Sequence, residues 1–131
     1  MKPIPVILLI GYLFLSPKET VVKDLHRPTP LINLEESMAA EKTIEKKLVQ
    51  AVKMMGGLAP KFVSPGLDGV PDRIVLLPGG KAAFIELKAD GKKMRPLQVR
   101  RKRQLEALGF LVYCIDGVDQ IGGILREIQT A

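Results

Sequence analysis

The chain of 131 residues carries a single cysteine, Cys114, and a single histidine, His26. One cysteine excludes an intrachain disulfide framework and a zinc site built from several thiolates. One histidine argues against a histidine-rich metal cluster and against a Ser-His-Asp triad. Tryptophan is absent and aromatics are only 5% of the chain, which disfavours a platform of aromatic rings for stacking bases. The apolar run Pro3 to Leu15 has 13 residues and is interrupted by Pro5 and Gly11. A membrane-spanning helix needs about 20 apolar residues, so this run is too short.

What is present fits one globular domain with one core: 47% hydrophobic and 26% charged residues. Lys and Arg number 20 against 14 Asp and Glu, a net charge of +6. Such a surplus suggests a polyanionic partner without naming one. It is unevenly spread. Residues 1–37 hold four basic and four acidic side chains, so the whole excess lies in residues 38–131. Between Lys88 and Arg103 there are eight basic residues and one acid, Asp90.

Residues 1–37 are read as an N-terminal extension with three readings open. A signal or membrane anchor fits the lysine at the start, but Leu15-Ser16-Pro17-Lys18 is no small-x-small cleavage site. A packed accessory strand or helix fits the length of the run. The third reading, which the composition favours, makes Met38 the true start and residues 1–37 untranslated upstream sequence or a poorly ordered arm. Met38 stands directly before a clear helix signal.

Residues 38–131 have regular organisation. Glu41 to Met55 reads as a helix with Ile44, Leu48, Val52 and Met55 as its core stripe, stopped by Gly56-Gly57. Leu58–Val63 reads as a first strand, Val70–Leu77 as a second and Lys81–Lys88 as a third. The tight turn Pro78-Gly79-Gly80 makes a hairpin of the last two. Pro96 suits the first turn of a helix running to Leu108 and ended by Gly109. Phe110–Ile115 is a fourth strand, and Val118–Gln129 a final helix weakened by Gly122-Gly123.

The chemistry lies in the hairpin. Strand side chains alternate faces, so Phe84, Glu86 and Lys88 share one face. A turn at Pro78–Gly80 pairs positions summing to roughly 158, which sets Asp72 opposite Glu86. Two carboxylates that close repel unless a cation lies between them. Mg²⁺ prefers such a pair, with water and substrate phosphate completing its shell. Lys88 beside it is suited to orient or deprotonate a water, or to steady a phosphate. Singly, a strand-end ion pair and an Asp beside a Pro are ordinary surface features. In register on one face, the three together are not.

Pro71-Asp72, thirteen residues, then Glu86-Leu87-Lys88 is similar to the PD-(D/E)XK nuclease signature. The flanks are more specific. Lys61–Gly66, Gly69–Ile74, Phe84–Lys88, Pro96-Leu97-Gln98 and Leu108–Tyr113 together resemble a VRR-NUC domain of the stand-alone phage and bacterial type, over residues 38–131. The resemblance implies a restriction-endonuclease-like αβββαβ core, a mixed four-stranded sheet flanked by helices, in a cytoplasmic enzyme of a bacterium or phage-infected host. It implies cleavage of DNA phosphodiesters with Mg²⁺ or Mn²⁺. By position, Asp72 and Glu86 are then metal ligands, with the backbone carbonyl of Leu87, and Lys88 positions the attacking water. Glu45 matches the helical acid of the family and is then a further metal ligand, directly or through water, and Glu41 lies one turn before it. The choice between them rests on the pair Ile44-Glu45. Gln98 matches the glutamine of the next helix, where it orients Lys88 or a phosphate. Family members act on branched DNA, Holliday junctions included, as homodimers, in repair or replication.

Lys92, Lys93, Arg95, Arg100, Arg101, Lys102 and Arg103 are the candidate DNA contacts. Four consecutive helix residues point about 100° apart and cannot share one face. Phosphate contacts position DNA without reading its sequence, so structure specificity is expected. The rival readings are a nickase or flap nuclease of the same fold and a non-catalytic basic DNA-binding module.

Overall fold

A computed structural model describes residues 30–131, with side chains from residue 34 onward. The run Pro3–Leu15 and His26 lie outside the described residues. Contacts group Glu35–Ala131 as one compact unit, and the site lies within it.

Helix α1 spans Pro30–Met54. It starts eleven residues before the expected Glu41, so position 38 falls inside a helix and Met38 is exposed. Ile44, Leu48 and Val52 are buried on one stripe, as their spacing requires, and Met55 packs against the same cluster. Gly56, at a φ of 80°, ends the helix. Gly57 is needed for a close approach, because a Cβ there would strike the carbonyl oxygen of Leu76.

The sheet has three strands among the described residues, in the order β1 (Arg73–Leu77), β2 (Lys81–Leu87), β3 (Val112–Ile115). β1 and β2 are antiparallel, and β2 and β3 parallel. The register pairs Arg73 with Ile85, so paired positions sum to 158. The expected strand at Leu58–Val63 does not form. Only two isolated bridges, Leu58 to Leu76 and Lys61 to Arg73, tie that segment to β1. Pro60 explains the interruption. Its carbonyl accepts from Ile74 N at 3.0 Å, but it has no N–H to return. The mixed sheet therefore has three strands where four were expected.

Helix α2 spans Pro96–Ala107, a 3₁₀ turn covers Val118–Gln120, and helix α3 spans Ile121–Thr130. Gly122 and Gly123 do not break α3. The core forms where Ile44, Leu48 and Val52 of α1 and Ile121, Leu125 and Ile128 of α3 meet Val75, Leu77, Ala83, Ile85 and Leu87. These strand residues alternate with Leu76, Phe84 and Glu86, as a two-residue period demands. No described helix is long and apolar enough to cross a membrane.

Candidate active site

β2 carries an apolar core face and a chemical face. Glu86 and Lys88 end the chemical face, and Asp72 sits just before β1, one step beyond the pair Arg73–Ile85. Asp72 Oδ2 accepts the N–H of Leu87 at 2.8 Å, which fixes the carboxylate against the end of β2. In a strand the N–H and C=O of one residue face the same edge, so the Leu87 carbonyl is turned toward Asp72 as well.

Glu86 is the one buried charged residue among the described side chains, only 1% exposed. Gln98 Nε2 donates to its Oε1 at 2.6 Å, and Lys88 Nζ lies 3.4 Å from the same oxygen. Its Oε2 is buried with no partner. Burial first, and then the charge of Asp72, push the Glu86 carboxyl up to about 7, against the pull of Lys88. A buried, unpartnered carboxylate oxygen beside a second carboxylate fits a divalent cation, which would supply the missing partner and remove the repulsion. Among the described residues no three His, Cys, Asp or Glu side chains gather into a cage. A two-carboxylate site suits Mg²⁺, which keeps several waters.

Gln98 is thus found on Glu86 and not on Lys88. Its Oε1 accepts the backbone N–H of Arg95 at 2.9 Å. The side chain that serves the N-terminus of α2 therefore also holds the buried carboxylate.

The two helical acids divide. Glu45 Oε1 accepts from Arg73 Nε at 3.0 Å and Nη2 at 2.7 Å, while Arg73 Nη1 donates to the Ala59 carbonyl at 2.6 Å. Glu45 therefore joins α1 to β1 and the 58–61 segment. Glu41 is half-buried, and its carboxyl is raised above its ordinary value by burial and by the charge of Asp72, with Lys88 opposing. Both acids line a cavity of about 310 Å³ with Asp72, Leu87, Lys61 and Phe62. Glu41 is the acid that senses the Asp72–Lys88 centre, and helical spacing alone did not separate it from Glu45. In the sequence Arg73 is only one residue of the Gly69–Ile74 flank, with nothing local to pair it with Glu45.

Of the basic candidates, Lys92, Lys93, Arg95, Arg100 and Arg103 are exposed. Arg101 is half-buried. Its Nε donates to the Asp68 carbonyl at 3.0 Å and another of its nitrogens to Gln104, so it clamps the 64–69 loop to α2. Lys102 pairs with Glu106 at 3.9 Å. The consecutive four do divide between faces.

No family model matches the chain. Individual proteins do. It is 53% identical over 89 residues to the protein "Putative nuclease p44" of Acyrthosiphon pisum secondary endosymbiont phage 1, covering 68% of this chain and 95% of that protein. A solved structure described as "VRR_NUC domain" superposes with a TM-score of 0.63 and 27% identity, covering 66% of this chain and 95% of the other. The chain belongs to the VRR-NUC family. In this VRR-NUC domain the carboxylates, the lysine and the glutamine all stand at the open end of β2. Cys114 is the register partner of Glu86, and burial pushes its thiol above the ordinary value, which makes it a poor nucleophile.

Proposed function

We propose that this VRR-NUC protein is a Mg²⁺- or Mn²⁺-dependent DNA endonuclease that acts on branched DNA in phage or bacterial repair or replication. One observation carries the reading: Glu86 Oε2 is buried without a partner, next to Asp72. An unsatisfied buried carboxylate oxygen costs stability, and a bound cation would offset that cost. The nuclease named among its relatives supports the same reading.

Asp72 and Glu86 hold the cation, with the Leu87 carbonyl. When bound, it supplies positive charge to the scissile phosphate and to the water beside it. Lys88, held next to Glu86, orients the attacking water. The water oxygen bonds phosphorus as one of its protons passes to solvent, the bond to the leaving sugar oxygen breaks, and that oxygen takes a proton from solvent. Gln98 keeps Glu86 aimed. Glu41 adds a third carboxylate within reach through water. The exposed Lys92, Lys93, Arg95, Arg100 and Arg103 hold the DNA backbone.

The test is cleavage by purified protein with Mg²⁺ or Mn²⁺ on duplex, flap, splayed and four-way DNA. Cutting of branched forms supports the reading. Binding without cutting on every form supports the non-catalytic DNA-binding module instead, and preferential cutting of flaps or single nicks supports the flap or nickase reading.

A further inference from the structure

A second cavity, of about 550 Å³, opens beside the carboxylates. It shares Asp72 and Gln98 with the site, yet the rest of its wall has different chemistry. Phe62, Val63, Leu67 and Leu97 give it one apolar wall, and Ser64, Asp68 and Arg95 add polar groups to the rest. Val63 is 76% exposed, and Leu67 and Leu97 are each 42% exposed. Ligand clefts combine such apolar walls with a few placed polar groups.

The wall is built in advance. Gly69 has a φ of 77°, and a Cβ there would run into Leu97, so the loop lies directly on α2. Arg101 holds the same loop through the Asp68 carbonyl. Phe62 is fixed from behind by Phe84, with ring centroids 5.5 Å apart. A rigid apolar recess loses little freedom on binding.

We infer that this recess receives one unpaired nucleobase next to the scissile phosphate. The inference rests on the nuclease reading and names what that site selects. A phosphate held through a cation at Asp72 and Glu86 would set its neighbouring nucleoside beside the recess, which Asp72 and Gln98 also line. The wall suits the flat apolar face of a base, and Arg95 suits the adjoining phosphate. The cavity accepts one nucleoside and is too small for a duplex. A base enters only when it is out of its stack, which is easiest where it is unpaired. Selection of branch points then follows from the recess, without any base-reading element.

The experiment uses full-length protein and four-way and flap DNA carrying 2-aminopurine, walked one position at a time across the branch point. This base emits strongly when unstacked. Measured in EDTA, emission should rise several-fold at one position and stay flat throughout a paired duplex. Leu67→Ser and Val63→Ser, each folded by thermal melting, should lose that rise. With metal, removing the base at that position should slow wild-type cleavage by about tenfold, a change on the scale of one stacked base. The Leu67→Ser protein should be indifferent to the removal. A flat emission profile, or an unchanged rise in both variants, would overturn the inference. Absence of cleavage on all DNA instead defeats the nuclease reading, and the emission profile in EDTA judges the recess independently of it.

Discussion

Arg73 grips Glu45 with two nitrogens on one carboxylate oxygen, at 3.0 and 2.7 Å. The pair is largely shielded, with the two side chains 15% and 26% exposed. It leaves Glu41, one helical turn earlier, as the acid nearest in charge to Asp72 and Lys88. The two positions therefore have different duties. Glu45→Ala strands a part-buried guanidinium and should cost about 1–3 kcal/mol, lowering Tm by several degrees. Its kcat at permissive temperature should stay within about threefold of wild type. Glu41→Ala should leave Tm nearly unchanged and lower cleavage at least about tenfold, the loss expected when charge support near a metal goes. Thermal melting with single-turnover cleavage separates them. If Glu45→Ala loses cleavage without losing stability, the assignment is reversed.

Asp72→Ala and Glu86→Ala should each abolish cleavage and keep DNA binding. In the proposed site the carboxylates would hold the cation, whereas Lys92, Lys93, Arg95, Arg100 and Arg103 are exposed and unchanged by either substitution. EDTA should reproduce both effects in the wild type. Gel shifts alongside cleavage assays give the answer, and wild-type cutting by either variant defeats the site.

Glu86 should weaken the metal-free fold as pH rises. Its folded carboxyl titrates at about 7, above the ordinary 4.5, so the folded state holds the proton more tightly than the unfolded state. Below about pH 4.5 both states are protonated and nothing is lost. Between that pH and about 7 the unfolded state gives up the proton while the buried group keeps it, so stability falls by something of order 1–3 kcal/mol, and above about 7 the buried group ionises too and the loss is complete. Glu86→Gln stays neutral. In EDTA its Tm should match wild type near pH 4.5 and exceed it at pH 8, although the variant cuts nothing. A Tm difference that does not change with pH contradicts the argument.

The hairpin was legible because two rules meet there. A strand alternates faces every two residues, and the turn at Pro78–Gly80 sets the register, so Asp72 and Glu86 face each other. The stripe Ile44, Leu48, Val52 was legible for the same kind of reason. The missing fourth strand was not, because a tally of apolar residues in Leu58–Val63 overlooks the one donor that Pro60 lacks. The start of α1 was missed because Leu34 and Met38, though at helical spacing, stay exposed and join no core stripe, so the buried period begins only at Ile44. Glu41 and Glu45 share a helical face, and only the position of Arg73 in space tells them apart. Gln98 reads as a helix-start residue, and its bond to Glu86 spans twelve positions that no local pattern connects.

The last prediction is that the active species is a homodimer preferring four-way junctions to linear duplex. One chain offers one Asp72–Glu86–Lys88 site, and symmetric resolution of a junction needs two cuts. Two-fold dimers are the commonest way to supply the second. Helix α3 is a poor candidate for the shared surface, because Ile121, Leu125 and Ile128 already face the core. β3 is an edge strand of the described sheet, and an unpaired edge is a template for a second copy. Beside it, Leu108 is 69% exposed and Phe110 52% exposed, next to the Phe84 ring. Leu108→Glu should therefore give a folded monomer that still binds DNA but no longer makes paired cuts in a four-way junction. Light scattering at micromolar concentration, with cleavage mapped on both junction strands, tests it. A wild-type monomer that cuts linear duplex as fast as junctions sinks the dimer and leaves β3 as an ordinary covered edge.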